Sequence, residues 1–267
     1  MGSSNWGKRV KVGVFDSGVG GLTVAKALQQ SGCFSDILYY GDTARVPYGS
    51  KDSNTITRYA LEAVEFFNGA DVDFVVVACN TVSVTALNAM QLFSNKPVYG
   101  VLEPGVMALQ QLDSVSPQSR ILVIATRSTI ASGAYQARIK ALGFEQVEAM
   151  ATPLFVPIVE EELFTGPVLD ATLNHYFADK FGGINGMAQT PDVVLLGCTH
   201  FPLIAGQISR YFDGAQTIHS GEAMLAWLQQ NLPLSADFDM TPIRIIATEN
   251  VAAVKRTAVR WGLQLIA

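Results

Sequence analysis

Cys79 and Cys198 end two closely similar segments, DFVVVACNTV and DVVLLGCTHF. In each, an aspartate (Asp73, Asp192) lies six residues before the thiol, and polar residues follow it at once: Asn80 and Thr81 in the first, Thr199 and His200 in the second. A thiol is an acid as well as a nucleophile, with a free pKa of about 8.5 that a nearby cation or a helix N-terminus lowers. Two thiols facing one small molecule from opposite sides could take a proton from one face of a carbon and return one to the other. The competing account is that cysteine is a small, readily buried hydrophobe. The polar cluster after each thiol argues against it, because a sulfur that only fills space needs none. Cys33, in SGCFSD, lacks that cluster and reads as a packing residue.

Both thiols follow apolar runs without alternation, the mark of strands buried on both faces of a parallel sheet. Ligands bind beyond the carboxyl ends of such strands. Along the chain, strands alternate with helical patterns. VKVGVF reads as a strand, DSGVGG as a glycine turn, and Leu22 to Gln30 as a helix; ILYYGD is a second strand. SNTITRYALEAVEFFNG carries the apolar stripe Ile56, Tyr59, Ala60, Ala63, Val64 and Phe67, with Ser53 or Asn54 as cap and Gly69 as stop. The Cys79 strand leads into a helix through about Phe93, and PVYGVLEPG into a strand and turn. RILVIATRSTIASGAYQARIKALG then repeats the opening unit as strand, polar turn and helix, with Thr126 near the place of Asp16. The Cys198 strand matches the Cys79 strand. PIRIIATEN is a late strand, and Val251 to Trp261 a last helix that returns to the first domain. The fold class is α/β: two pseudo-symmetric α/β domains with central parallel sheets and the active site in the cleft between them.

Other motifs fall at similar places. The turn Asp16, Ser17, Gly18, Gly20, Gly21 offers backbone amides at a helix N-terminus, suited to a small anion; Asp16 can equally serve as a helix cap. Neither GxGxxG nor GxxxxGK[ST] is present, which disfavours a nucleotide. YYGDTARVPYGSK places Asp42, Arg45, Tyr48 and Gly49 after a strand, as a pocket lid or as an ordinary surface loop. Glu160, in PLFVPIVEEE, reads either as a surface carboxylate or as a site residue. His200 has a ring able to share a proton with Cys198; His175 and His219 read as surface or satisfied histidines.

Composition narrows the classes. The 267 residues are 49% hydrophobic and 15% charged, with a net charge of −5. That suits a compact enzyme and not a disordered chain, and the lack of a basic run disfavours nucleic acid. No stretch reaches the roughly 20 apolar residues of a membrane span, so a cytoplasmic location is the default. Three scattered cysteines are no disulfide framework, and without CxxC, HxxxH or HExxH no metal site is expected. The opening MGSS is set aside as foreign to the fold.

The segments VGVFDSGVGGLTV, YYGDTARVPYGSK, VVVACNTVSVTAL, GVLEPG, TPLFVPIVE and LLGCTHFPLI, in that order from residue 12 to about residue 205, resemble the glutamate racemases of the aspartate/glutamate racemase superfamily. GCTH favours them over aspartate racemases, which usually carry glutamate after that threonine. The resemblance implies interconversion of L- and D-glutamate without cofactor, with Cys79 and Cys198 as the two bases and D-glutamate destined for peptidoglycan. It implies that Asp16, Glu160 and His200 assist the thiols, and that Asp16 with Ser17, Tyr48 with Gly49, Asn80 with Thr81, and Thr199 with His200 contact the substrate. It also implies a first domain of residues 1–100 completed by 212–267 around a second of 101–211, with a homodimer left open. Two departures stand out: Thr152, where the family often has cysteine, and ATEN (Ala247 to Asn250), where it commonly has a TTGD-like ending. Rival readings are a racemase or isomerase of the same superfamily acting on another acid, a two-lobed carboxylate-binding protein, which would gain little from paired thiols, and a thiol redox protein, which the lack of CxxC disfavours.

Overall fold

The computed structural model describes residues 9–182 and 190–265; the opening MGSS lies outside them. The strands in chain order are β1 (Lys11–Asp16), β2 (Asp36–Gly41), β3 (Phe74–Val77), β4 (Val98–Gly100), β5 (Ile121–Ala125), β6 (Val147–Ala151), β7 (Val193–Gly197), β8 (Gln216–His219) and β9 (Ile243–Ala247). They form two parallel sheets, β4-β3-β1-β2-β9 and β6-β5-β7-β8. In the first, the chain leaves β1 for β2 on one side and then crosses to β3 on the other. In the second it leaves β5 for β6 and crosses to β7. Each sheet therefore has a topological switch point, between β1 and β3 and between β5 and β7, where ligands bind at the carboxyl ends. Asp16 and Cys79 fall at the first of these, Thr126 and Cys198 at the second.

The strand interiors explain why the sheets close on each other. Side chains alternate between the faces of a strand. Val12, Val14, Phe74 and Val76 from the first sheet share one buried cluster with Leu122, Ile124, Val194 and Leu196 from the second. The intervening residues face outward, into one cluster with Phe15, Val75 and Val77 and another with Ile121, Val123, Val193 and Leu195. Burying a Val or Leu side chain fully is worth about 1.5–3 kcal/mol, so doubly buried strands fix both register and face. The helix Ser220–Asn231 packs on Leu22–Gln30, close enough that an added Cβ at Gly221 would stand 3.1 Å from Thr23 O and from Val24 Cα.

Several expectations are corrected. The cap of the helix Ser53–Gly69 is Asp52, whose carboxylate accepts from Thr55 N at 3.0 Å and Thr55 Oγ1 at 2.7 Å, leaving Ser53 and Asn54 inside the first turn. The helix after Cys79 is interrupted at Ala86, giving Asn80–Thr85 and Leu87–Phe93. LEPG opens a helix, Leu102–Met107, instead of a turn. The polar stretch after β5 is also helical, Arg127–Ala131, because Thr126 caps it by accepting from Thr129 N. β8, which follows residue 212, pairs with β7 in the second sheet, while β9 joins the first.

Candidate active site

β1 ends in Asp16, which is 1% exposed. Its carboxylate accepts the Gly18 N–H at 2.9 Å, while the other oxygen, Oδ1, is buried without a hydrogen-bond partner. It thus shapes the turn, and the helix at Leu22 starts without a side-chain cap. Burial raises the Asp16 pKa, and the nearby His200 charge and the Gly18 and Gly21 amides only partly offset it. Ser17 and Gly18 line the cavity; Asp16 stands behind them. Cys79 caps the short helix Asn80–Thr85, and its thiol donates to Ser17 Oγ at 3.4 Å. Burial, and then the charge of Asp16, push the Cys79 pKa up to about 12 against the smaller opposing pull of Ser17 and Val82 N–H. At rest this sulfur carries its proton.

The second wall has a different chemistry. Cys198 Sγ lies 3.7 Å from His200 Nδ1, and His200 Nε2 donates to Glu160 Oε1 at 3.0 Å. Glu160 ends the helix Phe155–Glu160, its side chain 41% exposed, whereas that of His200 is 10% exposed. Burial alone would lower the His200 pKa; hydrogen bonds to Cys198 and Glu160 and their charges outweigh it and raise the pKa to about 10. The ring is an imidazolium at neutral pH, offering the Cys198 sulfur a donor and a positive charge. The walls meet tightly: an added Cβ at Gly20 would stand 2.3 Å from Thr199 Oγ1 and 2.6 Å from the His200 ring. Only glycine fits there. Thr23 Oγ1 donates to Thr199 O at 2.8 Å, tying the two turns together.

Both thiols open onto one cavity of about 330 Å³, and Ser17, Tyr48, Gly49, Asn80, Thr81, Glu160, Thr199 and His200 all line it. The sequence-derived set is therefore gathered in one place, apart from Asp16 just behind. Tyr48 is turned differently from a direct side-chain contact: its hydroxyl donates to the buried carboxylate of Asp42. Other residues at the site were not foreseen in this role. Thr81, Thr126 and Thr129 form a triangle of hydroxyls at 2.9–3.1 Å across the domains. Asn80 Oδ1 accepts from Tyr135 OH at 2.5 Å, and its amide reaches Ser220 Oγ at 3.3 Å. Arg127 and Pro153 add to the lining. Of the residues here that the sequence had not assigned to the site, Thr126, Thr129, Tyr135, Ser220, Arg127 and Pro153, only Thr126 had a signal, its place after β5 matching that of Asp16 after β1.

Among the described residues no cluster of three His, Cys, Asp or Glu side chains could hold a metal ion, and no helix is long and apolar enough to cross a membrane.

Two parallel-sheet α/β domains with a cleft at both switch points, a thiol from each sheet and proton-holding groups behind them, define an enzyme site suited to proton transfer. The family model for Asp/Glu/Hydantoin racemase matches residues 23–228. The chain is 51% identical over 253 residues to the glutamate racemase of a Nitratiruptor species, covering 94% of this chain and 96% of that one. The crystal structure of glutamate racemase from Campylobacter jejuni superposes with a TM-score of 0.88 at 42% identity, covering 94% of this chain and 98% of that chain. The glutamate racemase of Francisella tularensis in complex with D-glutamate gives 0.79 at 30% identity, covering 97% and 98%. The chain belongs to the Asp/Glu/Hydantoin racemase family, and within it to the glutamate racemases.

Proposed function

We propose that this enzyme interconverts L- and D-glutamate by a two-base mechanism without cofactor, Cys79 and Cys198 each serving one face of Cα, and that it supplies D-glutamate for peptidoglycan. The observation that carries the reading is the pair of free, buried thiols at the carboxyl ends of corresponding strands, open to one cavity of about 330 Å³. The α-proton of an amino acid is a weak acid, so the base must be strong and the carbanionic transition state must be stabilised. A sulfur whose pKa is pushed up to about 12 is a stronger base, once ionised, than a free thiol. The cost is a low population of thiolate, which substrate binding and the exclusion of water must offset. In one direction the Cys79 thiolate takes the α-proton of D-glutamate and the Cys198 thiol delivers its own proton to the opposite face. The sulfurs exchange protonation states, and the L-to-D direction runs back through the same states. Asp16 serves the first sulfur; His200, steadied by Glu160, serves the second. Ser17, the Tyr48–Gly49 segment, Asn80, Thr81, Thr199 and His200 hold the substrate's charged groups.

The test is the optical rotation of pure L- and pure D-glutamate with purified enzyme. Both signals should decay to zero without added pyridoxal phosphate, nucleotide or metal. No decay from either enantiomer, or activity lost to a chelator and restored by a metal, overturns the reading.

A further inference from the structure

The loop after β2 forms one side of the cavity through Val46, Pro47, Tyr48, Gly49 and Ser50. What holds it lies on its far side. Asp42 is 0% exposed, and its carboxylate accepts from three donors: Arg45 Nε at 2.6 Å, the Tyr48 hydroxyl, and Thr248 Oγ1 at 2.9 Å. A buried carboxylate is costly unless paired and hydrogen-bonded, and here every donor comes from a segment that must be held. Burial and the bond to Asp42 raise the Tyr48 pKa, so its hydroxyl remains a donor.

Thr248 lies in ATEN, just beyond β9, the segment whose divergence had no structural meaning in the sequence. Its N–H donates to Gly41 O at 3.0 Å, and its hydroxyl accepts the Ala44 N–H at 2.9 Å. Beside it, Thr43 Oγ1 donates to Glu249 O at 2.6 Å and accepts the Glu249 N–H at 3.0 Å. The loop is therefore laced along its outer edge to the C-terminal strand. Its inner end is held from the second domain, where Ser128 Oγ donates to Gly49 O at 2.9 Å.

We propose that Asp42 is a positioning residue which, with Thr248, latches residues 43–50 onto the end of β9 and so presents Tyr48 and Gly49 to the substrate. The segment after β9 thereby sets substrate affinity from outside the cavity. The affinity half rests on the reading that Tyr48 and Gly49 contact substrate; the latch itself does not.

Thr248 is exposed as a residue, so Thr248→Val removes the bond without opening the core. Tyr48→Phe removes the neighbouring donor, and Thr248→Ser is the conservative rescue. Asp42→Asn joins the series if it folds, and the other variants decide the question if it does not. Two readouts are taken: amide hydrogen exchange of the 43–50 segment in ligand-free enzyme, and KM and kcat for both glutamate enantiomers. Losing one such hydrogen bond should raise KM about five- to tenfold in Thr248→Val and Tyr48→Phe while kcat stays within about twofold, with Thr248→Ser close to wild type. The segment should exchange faster in the same two variants and not in Thr248→Ser. Unchanged exchange overturns the latch. Faster exchange with unchanged KM, or a loss confined to kcat, overturns its role in affinity. Wild-type enzyme inert toward glutamate overturns the functional reading instead, and the exchange data still decide the latch.

Discussion

Cys79 faces the Ser17 hydroxyl with the buried Asp16 carboxyl behind it; Cys198 faces an imidazolium held by the partly exposed Glu160. The backbone plan is shared, since both sulfurs follow the third strand of the same β–α–β–α–β order at a switch point. The electrostatics are not shared. The first wall presents a neutral thiol next to a group whose own pKa is raised, and the second presents a positive charge. Topological symmetry has placed two sulfurs in corresponding positions, and the residues after each strand have given them different proton chemistry. The proposed reaction permits this. The enantiomers of glutamate have equal free energy, so only kcat/KM must match between directions, and the proton-transfer barriers on the two walls are free to differ.

The comparison breaks most simply at the sulfurs. If each serves one face, Cys79→Ala and Cys198→Ala should each lower racemisation by at least ~10³-fold, despite the unlike surroundings. In heavy water the wild type should place deuterium at Cα of newly formed product, while unreacted substrate keeps its hydrogen at early times. Measurable racemisation by either alanine variant, or early product retaining the substrate's hydrogen, would defeat the assignment of one sulfur to each face.

The supporting groups sharpen it. Asp16→Asn, Glu160→Gln and His200→Asn should each slow turnover by about 10²- to 10⁴-fold at most, leaving the fold intact. Because the equilibrium constant is unity, kcat/KM falls equally in both directions, and the asymmetry has to be read elsewhere. With α-deuterated substrates, Asp16→Asn should increase the primary isotope effect for D-glutamate, the enantiomer assigned to Cys79, and His200→Asn that for L-glutamate. Equal changes for both enantiomers in both variants would mean that neither group belongs to one wall.

What could be read in the sequence follows the physics of burial. Phe74–Val77 and Val193–Gly197 are buried at every position, so their composition alone announces strands and places the thiols. β6 and β8 are edge strands, the latter Gln216–His219 with Ile218 as its one fully buried residue, and nothing in their pattern separates them from loop. The contents of the cavity were legible as segments but not as partnerships. Asn80 meets Ser220, 140 positions away, and Thr81 meets Thr126, 45 away. No local spacing rule encodes such pairs, because tertiary packing selects them. For the same reason Tyr48 was placed at the site while the direction of its hydroxyl, toward Asp42, was not foreseen.

The smallest expected effect is on stability against pH, and it separates the walls without any substrate. His200 has a folded pKa raised from 6.5 to about 10, so its contribution is full below 6.5 and is lost as pH climbs through 10. Cys79 is raised from 9.0 to about 12, and its contribution persists to 9 before it declines. Between pH 7 and 8.5 His200 should therefore tilt the profile and Cys79 should not. The unfolding free energy of the wild type should fall there by at most about 1.4 kcal/mol per pH unit, the slope of a single proton. His200→Asn should flatten that slope, and Cys79→Ala should leave it unchanged. Denaturant unfolding at several pH values measures it. A flat wild-type profile would mean that His200 takes up no extra proton on folding. The second wall would then lack its resting positive charge, and the contrast between the walls would reduce to the buried Asp16 behind the first sulfur.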